Sequence, residues 1–324
     1  MLHYLVRRLL QAVPLLLLVS AAVFFLINIV PGGPTAAYEN NPQLTAQDLA
    51  RLEAELGLNQ PIYVRYLRWL GAVAHADWGY SLATKRPVLV EIGERFPNTL
   101  YLIGIQFAVT LAVAVPAGTV SAVRQYSAFD HASTTLAFMG QSIPIFWFGL
   151  ILIIVFHVTL RNPFTGLPLL PAGGMYTIGE PFSLADRLRH LVLPVAMLTL
   201  ANCAAIVRYV RASMIEVLHA DYIRTARSKG ASGRRVIWGH ALKNAALPVV
   251  TIIALDLPAL FGGALFTETI FSWPGMGRLF YESALRFDYA LLMSIVMITA
   301  ILIVISNLAA DVAYAYLDPR IRYG

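Results

Sequence analysis

Five cations within twelve positions form the densest patch of chemistry in the chain. Arg224, Arg227, Lys229, Arg234 and Arg235 lie in the stretch Asp221-Tyr-Ile-Arg-Thr-Ala-Arg-Ser-Lys-Gly230-Ala-Ser-Gly-Arg-Arg235, and Lys243 follows. Long apolar runs flank it on both sides. The chemistry of such a patch is electrostatic: a loop this basic between apolar spans stays in the cytoplasm. Asp221 ahead of Tyr222-Ile223 can cap a helix start, and Gly230 can end a helix of about two turns. A short rigid helix along the membrane surface suits docking to a cytoplasmic partner. On charge alone, a plain topogenic loop is the simpler reading.

Other polar groups sit inside apolar runs. Asp256 lies eight residues beyond Pro248, so ~12 Å into its helix. A carboxylate at that depth is costly unless paired or hydrated. Two roles are open to it: lining a pathway, where it would meet a substrate ammonium, or pairing with a neighbour such as Arg208. Gln106, Gln141, Ser142 and Asn202 are further polar residues within spans, where such groups line pathways or hold helices together. Pro116, Pro144 and Pro258 can kink their helices, and Trp273-Pro274-Gly275 reads as a turn. The candidate pathway set is Gln141, Ser142, Asn202, Asp256, Glu268 and Trp273.

No pattern for catalysis appears. The chain has no G-x-x-x-x-G-K-[ST] loop for nucleotide, no H-E-x-x-H and no G-x-S-x-G. Its seven histidines are scattered, His157 reads as an interfacial residue, and Cys203, the single cysteine, can form no disulfide within the chain.

These groups must be positioned by membrane helices. Of 324 residues, 58% are hydrophobic and only 13% charged, with a mean hydropathy of +0.67. Soluble domains carry about 25% charged residues, so this is a polytopic membrane protein. A pI near 9.5 could suggest nucleic-acid binding, but the charges sit in loops beside apolar spans. Six spans are expected, near Leu9–Val30, Thr99–Ala122, Thr134–Leu160, Leu191–Val210, Pro248–Phe271 and Leu291–Ala313. Arg7 and Arg8 place the N-terminus inside, as Arg320 and Arg322 do for the C-terminus. Seven basic against two acidic residues place 211–243 inside. The segment 31–97 is balanced, with six basic and seven acidic residues, and is expected outside. The first apolar run is too long for a cleaved signal and reads as an uncleaved span.

The outer segment is expected to be helical in part. Thr45 with Asp48 makes a weak capping box before Leu49, Leu52 and Leu56. An amphipathic helix is expected from Ile62 to Ala74, with Ile62, Tyr66, Trp69, Leu70 and Val73 on one side, lying along the outer surface. A separate short helix is expected over Val88–Phe96. No short repeat or low-complexity linker interrupts the chain, which reads as one domain over 1–324.

The order of residues in the basic stretch resembles the cytoplasmic "EAA" loop of binding-protein-dependent ABC importers, in the form of the dipeptide/oligopeptide/nickel permease family. The resemblance rests on Asp221 to Gly230, the pair Arg234-Arg235, and His240-Ala241-Leu242-Lys243-Asn244-Ala245. It continues over nearly the whole chain: Tyr4 to Gln11, Val30-Pro-Gly-Gly-Pro34, Leu56 to Pro61, Asp77-Trp-Gly-Tyr-Ser81, Ser142-Ile-Pro-Ile-Phe-Trp147, Leu170-Pro-Ala-Gly-Gly174, Glu268 to Gly277 and Asp318-Pro-Arg-Ile-Arg322. Two features depart from that pattern. Phe287-Asp288-Tyr289-Ala290 stands where the family commonly has Arg-Asp-Tyr-Pro, and Asp256 is unexpected in a glycine-rich apolar region.

The resemblance implies an all-α, six-span permease subunit of the type I ABC importer kind, with an extracytoplasmic helical insertion at 31–97 and a coupling loop at 212–247. It implies half of a pathway for di- or oligopeptides, with nickel chelates or another small solute as the alternative. It also implies the partners: a second homologous permease, two cytoplasmic ATPase subunits that bind ATP and Mg, and an extracytoplasmic substrate-binding protein. No cofactor is expected in this chain, which is expected to be non-enzymatic and multi-pass in a bacterial or archaeal inner membrane. By the same resemblance, Tyr222, Arg224, Thr225, Ala226, Arg227, Lys229, Gly230, Ala231, Arg234 and Arg235 couple to the ATPases, with Ala226 facing their cleft. An ion-driven secondary transporter is the rival from another class. It would favour several buried charges and paired broken halves, which do not appear. An intramembrane hydrolase would need a nucleophile and base within the spans, and none appears.

Overall fold

The computed structural model describes residues 2–29, 47, 54, 57–246 and 264–317, with no side-chain statement at 2–5 and 312–317. Expectations on the capping box at Thr45, on Asp256 and Pro258, and on the tail from Asp318 lie outside the described residues.

The described chain is helical, since in lipid the backbone must satisfy its own hydrogen bonds. α1 is Leu2–Ile29. α2 is Ile62–Ala74, with the bounds that its amphipathic period predicts. α3 is Val88–Val123 and absorbs the short helix expected at Val88–Phe96. Pro97 lies inside it without ending it, at the cost of one backbone donor. α4 (Ala128–Ser142) and α5 (Ile145–Ile153), which continues as a π-helical turn over Ile154–Thr159, occupy the expected third span, Thr134–Leu160, broken at Pro144. The two axes are bent by 103°. The cause is Pro144: it forces Ile143 into an extended conformation (φ −79°, ψ 128°), as residues before proline are.

α6 is Leu184–Leu218, α7 is Asp221–Ser228, and α8 covers residues 233–246 with a π-helical stretch at Arg235–Ala241. α9 (Leu265–Ile270), α10 (Met276–Leu285) and α11 (Tyr289–Leu317) complete the described chain. Four of these helices are long and apolar enough to cross a membrane: α1, α3, α6 and α11. The bent α4–α5 pair makes a fifth if it counts as one span. Of the expected span Pro248–Phe271, only its last residues, in α9, are described.

α6 is the axis of the molecule. It packs against α3, α4 and α5, and glycines sit where those helices approach it most closely. A Cβ on Gly118 would lie 2.8 Å from the Val207 carbonyl oxygen. One on Gly140 would lie 2.9 Å from Leu200, and one on Gly149 2.7 Å from the Met197 sulfur. Small residues at crossings are how membrane helices gain packing where no hydrophobic drive exists. The core falls into layers along α6. Leu102, Leu191, Val195, Leu198 and Trp273 fill one half, and Ile206, Val207, Val210, Met214, Ile223 and Val236 the other.

α1 stands at the edge, packed mainly on α11, with Arg8 and Asp311 3.3 Å apart. α2 does not simply lie on a surface. Its Tyr66 hydroxyl sits 2.8 Å from the Ser20 hydroxyl, and Tyr66 and Trp69 stack beside Phe24 of α1.

Candidate functional site

The basic loop is built as a clamp. α7 starts at Asp221, and no side chain caps it. Asp221 occupies the first helical position rather than capping, because Ala220 already holds the extended conformation (φ −69°, ψ 147°) of the residue before the helix. There its charge still favours the helix N-terminus. The end is sharper. Gly230 takes φ +80°, its N–H donates to the Arg227 carbonyl (2.9 Å), and the Ala231 N–H donates to the Ala226 carbonyl (3.2 Å). This pair of bonds is a Schellman stop, and the left-handed position in it favours glycine.

One residue pins α7 to the rest. Ile223 is fully buried among Val210 and Met214 of α6 and Val236 and Ala241 of α8. Ala226 and Ala231 turn partly into the same cluster. Ala226 therefore contacts its own chain and is half-exposed. A two-turn helix can present only one face, and Ile223 fixes which one is inward. The outward face is Tyr222, Arg224, Thr225, Arg227 and Lys229, all exposed, with Arg234 and Arg235 beside it on α8. The Arg224–Asp221 contact, 3.7 Å between largely solvated groups, does little to neutralise it.

The clamp is braced from α4. Asp130 is buried and receives both Nε and Nη2 of Arg211 at 2.8 Å, and its Oδ2 also accepts the Tyr126 N–H at 2.9 Å. Ser127 caps α4 by accepting the Asp130 N–H. The bidentate pair therefore ties the α3–α4 turn to α6 just before α7 begins. This pair is missing from the candidate residues. The signal for it was present: Ser127-Ala-Phe-Asp130 is a helix-start pattern.

The candidate pathway residues separate into two groups. Gln141, Ser142 and Asn202 are exposed on α4 and α6, and among the described residues Ser142 and Asn202 bond to carbonyls of their own helices. Glu268 and Trp273 are fully buried at the opposite end from α7. Glu268 accepts from the Thr99 hydroxyl (2.7 Å) and the Arg278 N–H (3.1 Å), at the start of α10. Thr99 in turn accepts the Met276 N–H (2.8 Å). Trp273 donates to the Asn98 carbonyl (2.9 Å) and stacks on Tyr101. The Trp273-Pro274-Gly275 segment is a turn that locks α9, α10 and α3 together. Gln106 is buried and bonded to Thr110. Arg208 is exposed over the Phe138 ring, 5.4 Å from its centre. His157 bonds the Leu170 carbonyl.

The same end carries a second lock. Asp288 is buried, accepts the Ser81 hydroxyl (2.5 Å) and the Ala83 N–H (3.1 Å), and its other oxygen accepts the Leu291 N–H (3.3 Å). Asp288 thus caps α11 and fastens the 77–87 loop to it. The helix start that a proline at Ala290 would favour is supplied by this carboxylate.

Comparisons with known proteins bear on the whole chain. Residues 114–323 match the family described as "Binding-protein-dependent transport system inner membrane component", and residues 1–103 match its N-terminal companion. The chain is 42% identical to the oligopeptide transport system permease protein AppB of Bacillus subtilis over 321 residues, covering 99% of each. It is 38% identical to the dipeptide transport system permease protein DppB of Escherichia coli over 340 residues, covering 100% of this chain and 99% of that one. Among solved structures, a chain of the inward-facing MetNI methionine ABC transporter superposes with a TM-score of 0.56 at 16% identity. That match covers 72% of this chain and 98% of the other, and shows a shared fold.

Proposed function

The chain belongs to the inner membrane components of binding-protein-dependent transport systems, and from that premise we propose that it forms half of a peptide pathway worked by cytoplasmic ATPases. It is a multi-pass, non-catalytic permease subunit of an ABC importer. The observation that carries the coupling role is the fixed outward face of α7. Ile223 on one side and the Gly230 stop at the end hold Tyr222, Arg224, Thr225, Arg227 and Lys229 as a rigid basic surface.

Two ATPase subunits, which bind ATP and Mg, engage that surface. Their closure moves α7, and Ile223 passes the displacement to α6 and α8. A second, homologous permease packs on the exposed polar face bearing Gln141, Ser142 and Asn202, so that these residues and Asp256 line the pathway. An extracytoplasmic binding protein delivers the cargo at the end that carries Trp273 and Asp288, with 31–97 outside and both termini in the cytoplasm. Di- or oligopeptide cargo is supported by the names of the relatives at 38–42% identity. Uptake of labelled di- and tripeptides by cells lacking their own peptide importers, with this chain and its partners supplied, tests the proposal. Peptide accumulation that needs ATP and an intact α7 is the expected result. Accumulation of no peptide, with uptake of another solute, would reassign the cargo.

A further inference from the structure

An open cavity of about 410 Å³ lies between α1, α2 and the start of α11, bordered by the 57–60 and 77–82 segments. Four of the seven buried side-chain polar atoms without a hydrogen-bond partner among the described residues belong to its lining. They are Asn28 Oδ1, Gln60 Oε1, Arg65 Nε and the Tyr289 hydroxyl. Tyr289 is only 8% exposed. Buried polar atoms are almost always bonded, and each orphan is costly. Their concentration around one cavity points to an occupant.

The orphans describe that occupant. Arg65 Nε–H and the Tyr289 O–H need acceptors, while the Asn28 and Gln60 carbonyl oxygens need donors. Arg65 and Arg68 bring two cations to the lining against one carboxylate, Asp77, so an anionic group such as a phosphate is favoured beside the two arginines. The cavity is far larger than the roughly 30 Å³ share of one water. Its polarity is graded along the helices. Asn28 and Tyr289 sit at the adjacent ends of α1 and α11, with Ile27 beside Asn28, and Phe24 and Met293 follow about one turn deeper. Polar groups at the helix ends and apolar groups one turn in are the profile of one bilayer leaflet.

We propose that this cavity binds one phospholipid, with its phosphate at Arg65 and Arg68, a headgroup donor at Gln60 and Asn28, and an acyl chain along Phe24, Ile27 and Met293. The headgroup must carry N–H or O–H donors, as ethanolamine and glycerol do and choline does not. The lipid wedges between the two helices that frame the rim of the molecule, and completes the seating of α2. The inference needs only that the chain spans a membrane, so it stands or falls apart from the peptide assignment.

The test uses the assembled transporter, stripped of lipid by detergent exchange and examined by native mass spectrometry. Phosphatidylethanolamine, phosphatidylcholine of the same acyl chains, and inorganic phosphate are the probes. The ethanolamine lipid should be retained about tenfold more than the choline lipid. Arg65→Gln with Arg68→Gln should lose about tenfold in retention, and Arg161→Gln, in another loop, should lose nothing. Tyr289→Phe removes a single oxygen and keeps the ring, so it should assemble normally and still lose severalfold. It decides the matter alone if the arginine variant does not assemble. Equal retention of both lipids, retention unchanged in Tyr289→Phe, or phosphate binding as tightly as the lipid would each overturn the proposal. The last would mean a free-anion site.

Discussion

Two residues show how tightly the buried polar network is built. A Cβ on Gly275 would lie 2.4 Å from Glu268 Oε2, and that carboxylate cannot swing away because Thr99 and the Arg278 N–H hold it. Gly275→Ala should therefore destabilise by about 1–3 kcal/mol, as overpacking does. Thermal unfolding of the purified subunit or its complex should show a lower midpoint; an unchanged midpoint would mean that the network yields. Asp130→Asn keeps the shape but leaves Arg211 without its carboxylate. Breaking a fully buried pair costs ~3–5 kcal/mol. Arg211 is 29% exposed, so water recovers part of that and about 2 kcal/mol is expected. Arg211→Ala should cost more, because it strands the buried Asp130. The ordering of the two midpoints checks the argument. Asp130 was legible only as a helix-start pattern. Its ion partner is 81 residues away, and nothing local in the sequence records such a pairing.

α7 illustrates what sequence can and cannot supply. Its length, its basic surface and its stop at Gly230 follow from residue types and spacing, as do the bounds of α2. Which face turns inward does not, because eight residues give too few apolar positions to define a stripe. Ile223 decides it through contacts with α6 and α8. Ile223→Ala should loosen α7 by about 2–5 kcal/mol, the cost of truncating a buried Ile. Co-purification of the ATPases from detergent should fall while the subunit still inserts; full ATPase retention would separate α7 from coupling. Gly230→Ala forces a side chain into the left-handed region, at about 1 kcal/mol, and should give a weaker version of the same defect. The bend at Pro144 was likewise visible as a proline, but its 103° size was not. A proline permits a break, and packing of α4 and α5 against α6 sets the angle.

At the scale of the whole molecule, contacts sort by side. Ser81, in the segment expected outside, meets Asp288 at the start of α11, while Ser213 meets Ala245 within the coupling loop expected inside, and Arg8, at the end expected inside, meets Asp311 near the other end of α11. Spans that alternate across a bilayer require this sorting. Single cysteines in a Cys203→Ser background give the orientation. Thr165→Cys and Leu285→Cys should react with an impermeant thiol reagent added outside, and Ser127→Cys and Ser232→Cys should not. Labelling of Ser232→Cys from outside would invert the topology. The partnership of α1 with α11 has a consequence in time. The residues from 29 to 289 separate them, 260 positions in the chain, which a ribosome makes in roughly 13–50 s at ~5–20 residues per second. Throughout that interval α1 must survive in lipid without its neighbour. Its makeup suits the wait: a mean hydropathy of 2.5, and a Ser20 hydroxyl that bonds back to the Leu17 carbonyl of its own helix. α1 is thus built to wait in the bilayer, and α11 closes the contact with it.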